Sequence, residues 1–576
     1  MNRRLSLILS VAALAASPSC ILLSGSGDDV QCASDAECAE IGEGLVCDPN
    51  AQVCVEFDAQ AGSTGSVSTS TSATTGGSGG GDTVECTTNS ECIDANGQLP
   101  YICREGRCLG LLTEQCSEFI GDLDGLRDDA PIIIGYIGQY SGADEVILTS
   151  EANARNGLRL AIEEIDKVSG GLPVGPNNSR RRMYSVGCDD VGGLDGGDAL
   201  EASIAHLTDT LDVPIIVGIT DEQSAFKAAQ DIFVPQGRLY VQELGETEDW
   251  RTLEDNGLVW VASLLGNSMA RTMSLVYKSI EPELSVYLEG ADVRLAVIAH
   301  NDTAGLQLAD EFNRDLTING LSPGEAFDAG TFTRLSLELD LTNLSDVTLA
   351  LQSFAPTIVV TFGNSVDNPE ILTTAEVSWP EGTPRPFWMF DLNGFDYGTE
   401  NAIKQLMLDG ELTIGDRVFG VRPYLPPSRD NYDAFGIRYR ARFDNASPGT
   451  LSGPLPYDTY YFLAYAILGA GNVTELTGSA VAAGFAKQLP PGATIDIGPS
   501  KISEGISALK ANTNIDFEGT LSGYQWDLGT GVSRQYESTW CYARTGETGL
   551  TTAITGIVWD PTTDTVSGDM GACRKW

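Results

Sequence analysis

Apolar residues along this chain fall into short continuous runs, separated by stretches in which they recur at helical spacing. After Pro131 comes the run Ile132-Ile133-Ile134-Gly135-Tyr136-Ile137-Gly138, the pattern of a strand buried on both faces. Leu158, Ala161, Ile162, Ile165 and Val168 then recur at three- and four-residue intervals, which predicts a helix with one apolar face. The alternation continues with a strand near Met183–Val186, a helix over Asp198–Leu211, a strand over Pro214–Val217 and a helix from Ser224. Further strands are expected at Arg294–Ala299, Thr357–Phe362 and Pro386–Phe390, with helices over Leu306–Leu316 and Val347–Phe354. Strands and helices alternating in this way predict an α/β fold built on parallel sheets.

The first 130 residues follow other rules. Arg3 and Arg4 precede an apolar run from Leu5 to Ala16, too short for the ~20 residues of a membrane span but suited to a secretory signal, so the mature chain is expected to be exported. Ser17-Pro18-Ser19-Cys20 resembles a bacterial lipoprotein cleavage box, with a small residue just before the cysteine, although Ser17 and Pro18 depart from the usual Leu-Ala. The chain has 13 cysteines, and diacylation of Cys20 leaves an even set free to pair in an oxidising compartment. Residues 1–19 are accordingly assigned to the signal and 20–31 to a lipidated N-terminus, ordinary cleavage being the alternative.

Eight of the remaining cysteines form a repeat. Cys32, Cys38, Cys47 and Cys54 are separated by five, eight and six residues, and Cys86, Cys92, Cys103 and Cys108 by five, ten and four. Segments of ~25 residues bury too little apolar surface to fold unaided, so cross-links are expected within 32–55 and within 86–109. Zinc is the rival reading, but neither repeat contains a histidine or a Cys-x-x-Cys pair. The repeats resemble short Cys-rich modules of bacterial surface lipoproteins. Between them, residues 59–82 are mostly Gly, Ser and Thr, a flexible tether that buries nothing. Cys116, Cys188, Cys541 and Cys573 are expected to supply two more bridges, with Cys541–Cys573 the closer pair.

Charge and composition remove several functions. Asp and Glu number 80 against 34 Lys and Arg, a net charge of −46, which argues against nucleic acid as a partner, since phosphate contacts need clustered basic residues. Only His206 and His300 are present, leaving little for imidazole catalysis or imidazole metal sites. The chain has no Gly-x-Ser-x-Gly elbow, no His-Glu-x-x-His and no phosphate loop. No enzymatic activity, metal or cofactor is therefore expected. Asp189, Asp190, Asp195 and Asp198 crowd a Gly-rich loop without calcium-loop spacing, and Arg180-Arg181-Arg182 is expected at a hairpin or strand entry. His206 is read as structural, while His300 borders the strand ends.

Several blocks, in order, resemble the type 1 periplasmic binding proteins of the branched-chain amino-acid-binding kind. Ile134 to Gly142 is similar to that family's first strand and ligand loop, and Val186 to Asp190 to its second strand. Val297 to Gly305, with Leu308, Ala309 and Phe312, is similar to the entry of its second lobe. Ala355 to Val360 resembles a later strand, and Pro456 to Ala466 a late Tyr-Asp helix. The resemblance implies two Rossmann-like lobes with parallel sheets, joined by a hinge and preceded by the small disulfide-rich modules. The two-lobed region is expected over 116–576, lobe 1 at about 131–262 and 421–520, lobe 2 at about 263–420 and 521–576. It also implies a small polar solute, an amino acid or related amide or amine, captured at the strand ends and delivered to an ABC permease at a membrane reached through the lipid anchor. A surface sensor or adhesion protein using the same fold without transport is the alternative, supported by the repeats and spacer.

Candidate ligand contacts lie in the loops at the predicted strand ends: Tyr140 and Ser141; Thr220, Asp221 and Ser224; Gln242 and Glu243; Asn301 and Asp302; Phe362 and Asn364; Asp391 and Asn393. Amino-acid binders of the family place Ser and Thr hydroxyls in the second and third of these loops to hold a ligand carboxylate, whereas this chain offers acids. If Asp221, Glu222 and Glu243 face the cleft and Asp391 closes on them, the site favours a cation, with Tyr140 and Phe362 packing over the ligand. In the bland alternative the same acids point to solvent.

Overall fold

The computed structural model describes residues 45–47, 54–56 and 86–573, apart from 129, 143–144, 192–197, 246, 265, 364–366, 395–396, 424–429, 450, 472–474, 522, 546–548 and 562. The chain divides into two compact units, 1–82 and 83–576. In the first unit the strands Leu45–Cys47 and Cys54–Glu56 pair antiparallel, with Cys47 opposite Cys54. The signal segment, Cys20, Cys32, Cys38 and the tether lie outside the described residues.

The second unit begins with the second Cys-rich repeat, which is part of the body that follows it. Its helix Asn89–Ala95 starts at a capping box between Thr88 and Glu91. A hairpin, Tyr101–Arg104 with Arg107–Gly110, follows. Disulfides join Cys86 to Cys103 and Cys92 to Cys108, so this repeat closes on itself as expected. Ile93, Ile102 and Leu111 are buried in one core with Ile133, Ile137 and Val186. Asn89 also donates to the carbonyl of Leu126 at 3.0 Å.

Two eight-stranded sheets define two lobes. Lobe 1 runs in the order Gln525–Asp527, Val532–Arg534, Val259–Leu264, Leu239–Gly245, Ile215–Gly218, Ile132–Gly138, Met183–Asp189, Glu118–Ile120. From Val532–Arg534 to Met183–Asp189 the strands are parallel, and the two edges are antiparallel. One face is covered by Glu145–Ser169 and the apolar helix Pro454–Gly469, through Leu158, Ala161, Ile165, Tyr460 and Leu463. The other is covered by Asp198–Ala205 and Glu222–Ala228, through Leu200, Ile204 and Ala225. Burial from both sides explains why these strands read as continuous apolar runs. Val168, expected on the apolar face of the first helix, is instead 39% exposed, because it lies in the last turn, beyond the cover.

Lobe 2 runs Phe332–Leu337, Leu295–His300, Ile358–Phe362, Phe387–Phe390, Val418–Pro423, Glu537–Thr545, Gly549–Asp560, Thr565–Ser567. The first five are parallel and the last three antiparallel. Helices Gly266–Tyr287 and Thr303–Asn313 cover one face, and Leu344–Phe354, Asp367–Val377 and Tyr397–Leu408 the other. The disulfide Cys541–Cys573 closes the antiparallel end, and Cys116–Cys188 ties the segment entering lobe 1 to its sheet.

The chain crosses between lobes three times, at 264–266, 423–430 and 534–537. This shifts two expected boundaries. The segment 418–423 pairs in the lobe 2 sheet, and 525–534 pairs in the lobe 1 sheet rather than opening lobe 2 at 521. The cause is that Val532 finds a parallel partner in Val261 before the chain leaves. No helix among the described residues is long and apolar enough to cross a membrane.

Candidate functional site

At the carboxyl ends of the lobe 1 strands, most expected contact residues are committed to holding loops. Asp189, last residue of its strand, accepts from the Tyr140 N–H at 3.0 Å, the Val191 N–H at 3.2 Å and the Ser141 hydroxyl. The Tyr140 ring turns back onto the sheet face: its hydroxyl occupies the space that a Cβ on Gly187 would need. The Arg155 guanidinium lies 4.5 Å from the ring centroid. Thr220 donates its N–H to Asp190 at 2.6 Å. Asp221 is the N-cap of Glu222–Ala228, accepting from the Ser224 N–H at 2.8 Å. Glu222 accepts from the Thr247 N–H at 3.0 Å and from Trp250 Nε1 at 2.7 Å. Asp221 and Glu222 thus serve local structure, and only Glu243 of the three lobe 1 acids remains without such a role.

Gln242 and Glu243 lie inside the strand Leu239–Gly245 rather than in a loop. Gln242 is buried, receiving the Tyr240 hydroxyl and donating to the Leu244 carbonyl at 2.7 Å. Glu243, with the opposite pleat, shares its face with Val241, on the side of Glu145–Ser169. Its Oε1 is buried without a hydrogen-bond partner, and Thr459 bonds to the carboxyl. Burial pushes the Glu243 carboxyl up to about 8, the charge of Glu151 adding to the rise.

Glu151 was not among the expected residues. It is 9% exposed, and its Oε1, without a hydrogen-bond partner, fills the space a side chain at Gly138 would take. Burial raises this carboxyl to about 7, against the opposing effects of the Tyr136 hydroxyl bond and of Arg155. Its position was legible: Glu151 precedes Ala154, Leu158, Ala161 and Ile165 at the same three- and four-residue spacing, an acid at the head of an apolar stripe. Asp190 is likewise held above the usual carboxylate range by burial, which outweighs its bond from Thr220.

In lobe 2, His300 ends the strand Leu295–His300, and its Nε2 stands 2.8 Å from Oδ2 of buried Asp367. Asp302 caps Thr303–Asn313, accepting from the Gly305 N–H at 2.7 Å. Asn301 is exposed and reaches Glu338 at 3.2 Å. Phe362 is buried against Phe312, centroids 5.8 Å apart, so it packs the core. Asp391 is buried just after the strand Phe387–Phe390. Asn393 falls in the short turn Leu392–Gly394, and Asn364 lies outside the described residues.

Other singled-out residues are structural. His206 Nε2 lies 3.0 Å from the Leu111 carbonyl, beneath the Cys-rich repeat. Arg181 donates to the Ala130 carbonyl at 2.8 Å, and Arg182 pairs with Asp122 at 2.8 Å, so the basic run fastens the entry of the first strand.

No protein-family description matches the sequence, and no curated protein does. Solved structures do. The leucine-binding protein of Thermotoga maritima superposes with a TM-score of 0.52 at 14% identity, covering 75% of this chain and 99% of that one. The branched-chain amino-acid transporter substrate-binding protein of Streptococcus pneumoniae, solved with isoleucine, gives 0.51 at 12% identity, covering 74% and 99%. The two-lobed body of this chain therefore has the fold of the type 1 periplasmic binding proteins, the fold of branched-chain amino-acid ABC substrate-binding proteins.

Proposed function

We propose that the chain is an exported solute-binding protein, held at a membrane by a lipid on Cys20, that captures a small polar solute between its lobes and hands it to an ABC permease. The observation carrying this reading is the pair of parallel sheets on separate lobes joined by three crossings, an arrangement suited to hinge closure over a ligand at the strand ends. It is read as a binder and not an enzyme because the sequence carries none of the catalytic motifs named above and the two solved structures described above that share its fold are substrate-binding proteins. The Cys-rich repeat packed into the lobe 1 core also favours the second reading, a surface sensor or adhesion protein.

A thermal-shift screen of the chain against amino acids, amides, amines, nucleosides and sugars tests the binding role. A ligand at about 100 times its Kd adds ~2.7 kcal/mol of apparent stability. Transport further requires that the hit be taken up through a permease in vesicles. A solute that binds without supporting uptake favours sensing, and silence across the panel rejects solute binding. Mass spectrometry of the mature N-terminus tests the anchor, an unmodified Cys20 rejecting it.

A further inference from the structure

Glu151 and Glu243 lie toward the carboxyl ends of two parallel strands of the lobe 1 sheet, Ile132–Gly138 and Leu239–Gly245, with Ile215–Gly218 between them. Glu151 reaches from the helix Glu145–Ser169 onto Gly138, the last residue of its strand. Glu243 stands two residues before the end of Leu239–Gly245, on the same face of the sheet. Each has a buried Oε1 with no hydrogen-bond partner, and the charge of Glu151 raises the cost of ionising Glu243. Around Glu151 stand Tyr136, Arg155, Asp190 and Glu118, and around Glu243 stand Tyr240, Thr459, Tyr460 and Tyr524. The only base in that company, Arg155, sits 3.1 Å from Glu118 and over the Tyr140 ring.

We propose that Glu151 and Glu243 form the charge-recognition site of this protein, and that the solute they receive carries an amine or guanidinium. The inference rests on the solute-binding reading and names its substrate class. Two carboxyls in a desolvated region cannot both ionise at low cost without a cation, and a ligand carboxylate there would meet two acids, while the nearby base, Arg155, is paired with Glu118. A bound cation supplies the missing countercharge, and the two unpartnered Oε1 atoms can accept from it. It also has a thermodynamic signature. The empty pair retains protons near neutrality because burial raises both carboxyls, so a cation must displace them, whereas a neutral solute need not.

The experiment is calorimetry on the full chain with agmatine, putrescine and, as a zwitterionic reference, L-leucine, at pH 7 in phosphate and in Tris. The expected result is that agmatine or putrescine binds with buffer-dependent heat reporting proton release of about one per site, and more than about tenfold more weakly at pH 5.5 than at pH 8. Glu151→Gln and Glu243→Gln should each weaken it about tenfold or more and reduce the proton release. The melting temperature of each variant shows that it is folded. Binding of L-leucine without proton release, unchanged in both variants, overturns the inference while leaving solute binding intact. Failure of both amines to bind overturns it as well, and the wider screen then decides the solute-binding reading separately.

Discussion

Ser263 and Gln535 join two of the three crossings between the lobes: the Ser263 hydroxyl donates to Gln535 Oε1 at 2.8 Å, and Gln535 Nε2 returns a bond to the Ala262 carbonyl at 3.2 Å. Both residues are buried, at 1% and 5% exposure. Gln535→Ala strands a hydroxyl and a carbonyl away from water, a loss of roughly 1–3 kcal/mol. Chemical denaturation should show that loss, and a stability within 0.5 kcal/mol of the parent, approximately the scatter of surface substitutions, would contradict the role.

Two residues on, Glu537 is fully buried opposite Pro423, and the Ser268 hydroxyl donates to it. Burial pushes its carboxyl up to about 8, more than the Ser268 and Thr272 hydroxyls can offset. Because the folded value lies above the unfolded one, the native state keeps a proton that the unfolded chain has lost. Its contribution is complete below the ordinary carboxylate range and drains away as pH rises to about 8. Glu151 and Glu243 shift in the same direction. Melting temperature should therefore fall between pH 5.5 and pH 8, and Glu537→Gln should flatten that fall, gaining on the order of 2–4 kcal/mol over the parent at pH 8. A parent that is as stable at pH 8 as at pH 5.5 would rule this out.

What could be read from the sequence follows from burial. Strands covered on both faces announce themselves as apolar runs, so Leu295–His300 and Ile358–Phe362 fall within one residue of expectation. The helix expected from Leu306 begins at Thr303 because Asp302 caps it, a polar signal that apolar spacing does not register. Gln242 looked like a loop residue, yet its amide is satisfied inside the sheet by Tyr240 and Leu244, and no periodicity reveals that. The antiparallel hairpin Glu537–Thr545 and Gly549–Asp560 was not expected because its strands carry neither a strict polar–apolar alternation nor a long apolar run. The candidate site suffered most, since a polar residue at a strand end can equally be a cap or a contact. Asp221 and Asp302 turned out to be caps, while Glu151 was hidden in a helical stripe.

The disulfide Cys116–Cys188 spans 72 residues and fastens the segment between the Cys-rich repeat and lobe 1 to the strand Met183–Asp189. Closing a loop of that length restricts the unfolded chain by about 4 kcal/mol. Cys116→Ser with Cys188→Ser should lower stability by roughly 2–5 kcal/mol. The repeat also reaches lobe 1 through Asn89, Ile93 and Leu111, so hydrogen exchange should speed up in 86–126 before the rest of the lobe. Uniform loosening across both lobes would contradict that order.

Glu164 joins three helices on one side of lobe 1: its own, Glu145–Ser169, with Asp430–Arg442 and Pro454–Gly469. Its Oε2 accepts from the Tyr457 and Tyr461 hydroxyls at 2.5 and 2.7 Å, and its Oε1 from Arg438 at 2.7 Å. Arg438 lies on Asp430–Arg442, the first helix after the second crossing, so this one carboxylate anchors the returning chain to the lobe it re-enters. Glu164→Ala leaves a guanidinium and two hydroxyls partly buried without their acceptor, a defect of about 3–5 kcal/mol. Glu164→Gln keeps an acceptor but loses the charge and should cost less. Replacing Arg438 with Met in the Glu164→Ala background should recover part of the loss, because the unpaired cation goes with it. If the double variant is less stable by the full sum of the two single losses, the residues do not act as the coupled unit their distances imply.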